Sequence, residues 1–195
     1  MTTSPLKNPR NPLWKVILPV VALIAVAVGV VSLMQQKLDR DAPAHDGDGA
    51  EEIVEGNTLP EFELETLDGR RLKPEQLGAK VILVNFWATW CEACLVEMPS
   101  LQKLYTEFKP QGLEIAAVNL DEETGEFIPQ ALEKLGGRFP IFRDPGQKLS
   151  EILDIHAIPI TIIIDRNRKV LMIHDGERDW AKDDIRQTMR KWLEG

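Results

Sequence analysis

Only two cysteines occur in this chain, and they stand as Cys91-Glu92-Ala93-Cys94 between the apolar run Val81 to Trp87 and a stretch of helical periodicity. Two thiols at this spacing, where a strand turns into a helix, form and break a disulfide with little movement of the backbone. The thiolate is the nucleophile in disulfide exchange, so a working Cys91 needs a lowered pKa. A helix beginning at Cys91 would aim free N–H groups and its positive dipole end at that sulfur. Cys94 would lie one turn in and be more buried. The pattern predicts an attacking Cys91 and a resolving Cys94. Two other uses of the pair are weaker. A structural bridge across two residues constrains little of the unfolded chain. A four-cysteine zinc site needs a second pair, which this sequence does not have.

The N-terminal third is organised differently. Val16 to Met34 carries no charge, and as a helix it would span roughly 28 Å, close to the bilayer core. Lys7, Arg10 and Lys15 precede it, while Lys37 and Arg40 follow among several aspartates. This bias puts the N-terminus inside and the rest outside. A cleaved signal peptide is the rival reading, but Ala42-Pro43-Ala44 lies far beyond the apolar run, which also exceeds the usual signal-peptide core. The expected layout is a cytoplasmic tail at 1–15, a transmembrane anchor at 16–34, a flexible linker at 35–57 and a folded domain at 58–195. The linker is rich in Asp, Ala, Pro, Gly and Glu and cannot bury enough surface to fold alone. The net charge of −8 argues against nucleic acid as a partner.

Within the domain, Phe62 to Glu65 alternates and Asp68-Gly69 turns the chain into Arg70 to Leu72, which reads as a hairpin. Val81 to Trp87 reads as a central strand covered on both faces. Met98, Leu101, Leu104, Tyr105 and Phe108 recur at helical spacing. Leu113 to Leu120 is a second buried strand. Thr124 to Leu135 reads as a helix with a kink or break at Pro129. Ile141-Phe142 is a short strand, Leu149 to Leu153 a short helix, and Ile160 to Ile164 and Lys169 to Ile173 two strands about a turn. Trp180 to Leu193 closes the chain as a helix. The order implies an α/β fold with a mixed sheet and a βαβ crossover between Val84 and Val118.

A proline directly before a buried strand, as in Ala157-Ile158-Pro159-Ile160-Thr161, lacks a ladder N–H. A cis bond in a tight turn and a trans proline at the strand's first position both account for it.

The run Asn85-Phe86-Trp87-Ala88-Thr89-Trp90-Cys91-Glu92-Ala93-Cys94-Leu95-Val96-Glu97-Met98-Pro99 resembles the active-site segment of thioredoxin-like proteins. It is similar in particular to the membrane-anchored TlpA/ResA type. Leu59-Pro60-Glu61-Phe62 with Asp68-Gly69 resembles that type's N-terminal hairpin, and Ile158 to Thr161 with Ile164-Asp165 resembles its cis-proline loop and next strand. The resemblance spans about residues 58–193. It implies a thioredoxin-like fold, a central mixed sheet flanked by helices, with an N-terminal hairpin extension and one transmembrane helix. It implies Cys91 as nucleophile, Cys94 as resolving thiol and a cis Pro159 facing the disulfide. Trp90, Ile158 and Pro159 would contact substrate, the Ile158 backbone pairing with a substrate strand. No cofactor or metal is implied.

Glu97 is the family's glutamate three residues past the second cysteine. Thioredoxins proper carry a buried acid on the preceding strand, where Asn85 stands here. From Cys94, Glu97 is i+3, on one helix face. Partial burial would raise its pKa and suit it to taking the Cys94 proton. An exposed helix glutamate is the alternative. Glu92, between the thiols, would disfavour a Cys91 thiolate, or simply stabilise the first helical turn. Ala93 replaces the family's usual proline, and His156-Ala157-Ile158 lacks the glycine common before the cis-proline. His156 is a second titratable group in that loop.

The expected activity is that of a thiol–disulfide oxidoreductase on the outer side of a bacterial cytoplasmic membrane. It would reduce exported proteins, apocytochrome c among them, and an integral membrane thiol-electron transporter would re-reduce it. Val118-Asn119 fits a run found in cytochrome c maturation members, but no Tyr-Lys pair follows. An oxidase or isomerase of the same fold is the alternative. A Cu(I) carrier using Cys91, Cys94 and a contribution from His156 is a third reading, against which the cysteine spacing stands. A peroxidase lacks the flanking threonine and proline.

Overall fold

The computed structural model describes residues 53–122 and 127–194, with scattered residues between 19 and 34. The expected tail at 1–15, most of the expected anchor at 16–34 and the linker through 52 lie outside the described residues, as does Thr124. Pro19, Ala22, Ala25, Ala27–Val30 and Ser32–Met34 are helical and exposed. Among the described residues no helix is long and apolar enough to cross a membrane.

The described residues from Ile53 onward form one compact unit. Its centre is β3 (Val81–Trp87), buried at every position because β-branched and aromatic side chains fill both of its faces. It pairs in parallel with β4 (Leu113–Asn119), Val81 opposite Leu113 through Trp87 opposite Asn119. The intervening helix α1 (Glu92–Phe108) makes the crossover the sequence requires. The hairpin strands β1 (Leu64–Thr66) and β2 (Arg71–Leu72) are joined to the main sheet through β5 (Ile141–Arg143), which runs parallel to β4. On the other side lie β6 (Ile160–Asp165) and β7 (Val170–Asp175), each antiparallel to its neighbour. The order across the sheet is β2-β1-β5-β4-β3-β6-β7 among the described residues. Helices α2 (Phe127–Lys134), α3 (Lys148–Ile152) and α4 (Asp183–Glu194) complete the unit.

The period-two alternation of β3 sorts the core into two layers. Val81, Leu83 and Trp87 face Met98, Leu101, Leu104 and Phe108 of α1 and Ile185, Met189 and Leu193 of α4. Ile82, Val84 and Phe86 face Leu59, Phe62, Leu149 and Leu153. Asn85 therefore falls on the α1 and α4 side, a polar residue in an apolar row. Gly112 joins α1 to β4 at φ +113°, a conformation that L side chains rarely adopt, and its carbonyl accepts from the N–H groups of Lys80 and Val81.

Two element ends differ from expectation. Cys91 caps α1 from outside rather than opening it, because its extended backbone leaves the sulfur free to accept from Cys94 N–H. Helix α4 begins at Asp183 instead of Trp180, because the chain turns over Asp179 to Lys182, where the Asp179 side chain accepts from Ala181 N–H and its carbonyl from Lys182 N–H. The expected start of α2 at Thr124 lies outside the described residues, and Pro129 stands within the described helix.

Candidate active site

Strand β3 ends at Trp87, and four residues later Cys91 sits at the N-terminus of α1. Cys91 and Cys94 are joined in a disulfide. Cys91 is 8% exposed and Cys94 fully buried, the asymmetry expected of an attacking and a resolving thiol. The Cys94 N–H points at Cys91 Sγ, 3.2 Å away. That donor and the helix dipole together favour negative charge on Cys91 when the bridge opens. Glu92 is an exposed acid in the first turn of the helix.

The loop delivering Cys91 is tied down by Asp121. Its carboxylate accepts from the Thr89 backbone N–H at 3.1 Å and the Thr89 hydroxyl at 2.9 Å. Asn119 Nδ2 donates to the same carboxylate at 2.7 Å, so the end of β4 holds the loop that ends β3. Trp90 then projects into solvent, 70% exposed. The peptide bond between Ile158 and Pro159 is cis. Pro159 is buried, Ile158 half-buried, and the Pro159 carbonyl accepts from Gly176 N–H at 2.9 Å. His156 points away into solvent, paired with Asp154 at 2.8 Å.

Glu97 is 1% exposed, on the same buried face of α1 as Cys94. Among the described residues no cationic side chain bonds to it. Oε1 accepts from Asn85 Nδ2 at 2.7 Å, and Oε2 accepts from Trp180 Nε1 at 3.0 Å and the Arg178 backbone N–H at 3.3 Å. Asn85 Nδ2 also donates to Thr161 Oγ1 at 3.0 Å, across the β3–β6 pair. Burial pushes the Glu97 carboxyl above the usual carboxylate range. The Trp180, Asn85 and Arg178 donors oppose that rise without cancelling it, and the Glu177 charge adds to it.

Trp180, Thr161 and Asp121 are the members of this constellation that sequence reasoning missed. Thr161 had a signal, a polar side chain inside an apolar strand at the position opposite Asn85. Trp180 had a weaker one, since a buried indole needs an acceptor for its N–H. Nothing local tied Asp121 to Thr89.

Residues 56–173 match the AhpC/TSA family. The thiol-disulfide oxidoreductase ResA of Bacillus subtilis (strain 168) is 35% identical, over 66% of this chain and 71% of its own length. ResA of Geobacillus thermodenitrificans is 36% identical, over 70% of this chain and 77% of its own. A thiol:disulfide interchange protein from Bacteroides sp., solved in solution, superposes with a TM-score of 0.62 at 26% identity, covering 74% of this chain and 93% of that one.

Proposed function

We propose, from the premise that this chain belongs to the AhpC/TSA family and is a thiol–disulfide oxidoreductase related to ResA, that it works as a membrane-tethered reductant of exported proteins. The observation that carries the reading is the pairing of a disulfide at the α1 N-terminus with a buried glutamate one turn further on.

In the reduced protein the Cys91 thiolate attacks a substrate disulfide. A mixed disulfide forms and one substrate thiolate leaves. Cys94 gives its proton to Glu97, and its thiolate attacks Cys91 Sγ. The internal disulfide closes and the second substrate thiolate departs, so two electrons pass to the substrate. Trp90, Ile158 and Pro159 form the contact surface, the Ile158 backbone pairing with an extended substrate segment. Apocytochrome c before haem attachment is a substrate of the right kind. An integral membrane thiol-electron transporter returns the electrons.

The uncharged run Val16 to Met34 supports the tether, with residues 58–195 on the outer side of a bacterial cytoplasmic membrane and 35–57 as the linker. In intact cells expressing the full-length chain, a membrane-impermeant maleimide applied after reductant should label Cys91. Labelling that appears only after lysis would place the domain inside and overturn this topology. An oxidase or isomerase running the same steps backwards is the second reading. It draws on Ala93, which stands where the family usually has proline.

A further inference from the structure

We propose that Trp180 is a positioning residue of the exchange reaction, holding the Glu97 carboxylate in place through its indole N–H. This rests on the reading of Glu97 as acceptor of the Cys94 proton. Trp180 is fully buried, and its ring is fixed from two sides. The His174 ring of β7 meets it edge-on at 5.6 Å, and the Arg178 guanidinium lies over it at 5.6 Å. Its backbone is fixed as well. The Ser100 hydroxyl accepts from Trp180 N–H at 3.0 Å and donates to the Glu97 carbonyl at 2.8 Å. The loop between β7 and α4 is thus stapled to α1 at the turn that carries Glu97, and the indole N–H meets Oε2 at 3.0 Å. Rotation of the carboxylate would forfeit this bond together with those from Asn85 and Arg178 N–H.

The charges around the carboxylate leave the indole much to do. Arg178 sends its guanidinium to Asp184 at 2.9 Å and reaches Glu97 only through its backbone. Glu177 is the charged neighbour that acts on Glu97, and it raises its proton affinity. Asn85 on β3 and Thr161 on β6 are neutral. His174 on β7 packs on the Trp180 ring, its Nε2 buried without a hydrogen-bond partner. Neutral donors therefore carry the stabilisation of the ionised form, with the indole among the largest contributors.

The test uses the reduced full-length chain and a symmetrical aryl disulfide whose thiolate is coloured. The second thiolate released reports attack by Cys94. Trp180→Phe removes the donor but leaves space that water can fill. Site-specific replacement of Trp180 by 3-benzothienylalanine removes the N–H and keeps the ring's shape, so it reports even if the Phe variant does not fold. In the isosteric variant the second release should slow about three- to tenfold at pH 7, with its rise displaced to higher pH. That displacement should vanish when Glu97→Gln is added. A wild-type profile in the isosteric variant, with Glu97→Gln alone still altered, would overturn the role of Trp180 and spare that of Glu97. An unchanged profile in Glu97→Gln alone would overturn the reading of Glu97 and this inference with it.

Discussion

Cys91→Ser should reduce disulfide exchange to background, a loss of at least about 10³-fold, while Cys94→Ser should stop the reaction halfway. The two outcomes differ because the two sulfurs sit differently. Cys91 is the one that reaches the surface, at the helix end, with the Cys94 N–H directed at it. A serine hydroxyl there stays protonated and does not attack. Cys94 is fully buried and is bonded to Cys91. Without it the mixed disulfide has no internal nucleophile to resolve it. With the coloured aryl disulfide, the wild type should release two thiolates per chain, Cys94→Ser one, and Cys91→Ser none. In membranes, Cys94→Ser should accumulate covalent adducts that disappear on reduction. Release of two thiolates by Cys94→Ser would show that an outside thiol does the resolving.

Glu97→Gln should slow the second release about 10²-fold at neutral pH and flatten its rise with pH. The sign follows from burial. The folded Glu97 carboxyl is held above the ordinary carboxylate range, so it is still partly protonated where an exposed glutamate is fully ionised. Its base form is gained as pH rises through that raised value, and the Cys94 proton then has somewhere to go. The same shift makes Glu97 a group whose stabilising contribution is present at low pH and declines as pH rises through the folded value. Relief of that burden should make Glu97→Gln compare better with wild type in stability at alkaline than at acidic pH. Turning the Asn85 amide over would present Oδ1 to the glutamine N–H and reverse the Thr161 hydroxyl from acceptor to donor, but it would move the Asn85 NH2 to the place where Oδ1 is now buried without a partner. Stopped-flow measurement from pH 6 to 9, with thermal melts at the same pH values, separates the two effects. Unchanged rates across that range would remove the role assigned to Glu97.

The parts of this molecule that were legible in the sequence are those whose causes are local. Val81 to Trp87 is buried on both faces whatever surrounds it, and the spacing of Met98, Leu101, Leu104 and Phe108 admits only one helix face toward the core. The cysteine pair fell where that strand and that helix meet. Element ends were less legible because tertiary partners set them. Trp180 fits the apolar period of α4, yet it stands in the turn before the helix, its indole bonded to Glu97 and its backbone N–H to Ser100, eighty residues earlier. Asp183 and Asp184 in the first turn were the available sign of the true start. The cage around Glu97 was half legible. Asn85 was recognisable as a polar residue in place of a buried acid, but its partners come from α1 and β6, and the indole comes from a loop 83 residues beyond Glu97. No local pattern encodes contacts of that range. The clamp of Asp121 on Thr89 is of the same kind, made by two strand ends that are adjacent only after the sheet has formed.

The direction of electron flow is the centre of the account, and the reduction potential of the Cys91–Cys94 pair tests it most directly. The full-length chain would be equilibrated in redox buffers and the oxidised fraction read by thiol trapping. A reductant fed from the membrane requires a value near or below roughly −220 mV, in the range of thioredoxin and the glutaredoxins. A value near roughly −120 to −180 mV, where strong oxidants and isomerases lie, would contradict the account and make the chain a donor of disulfides.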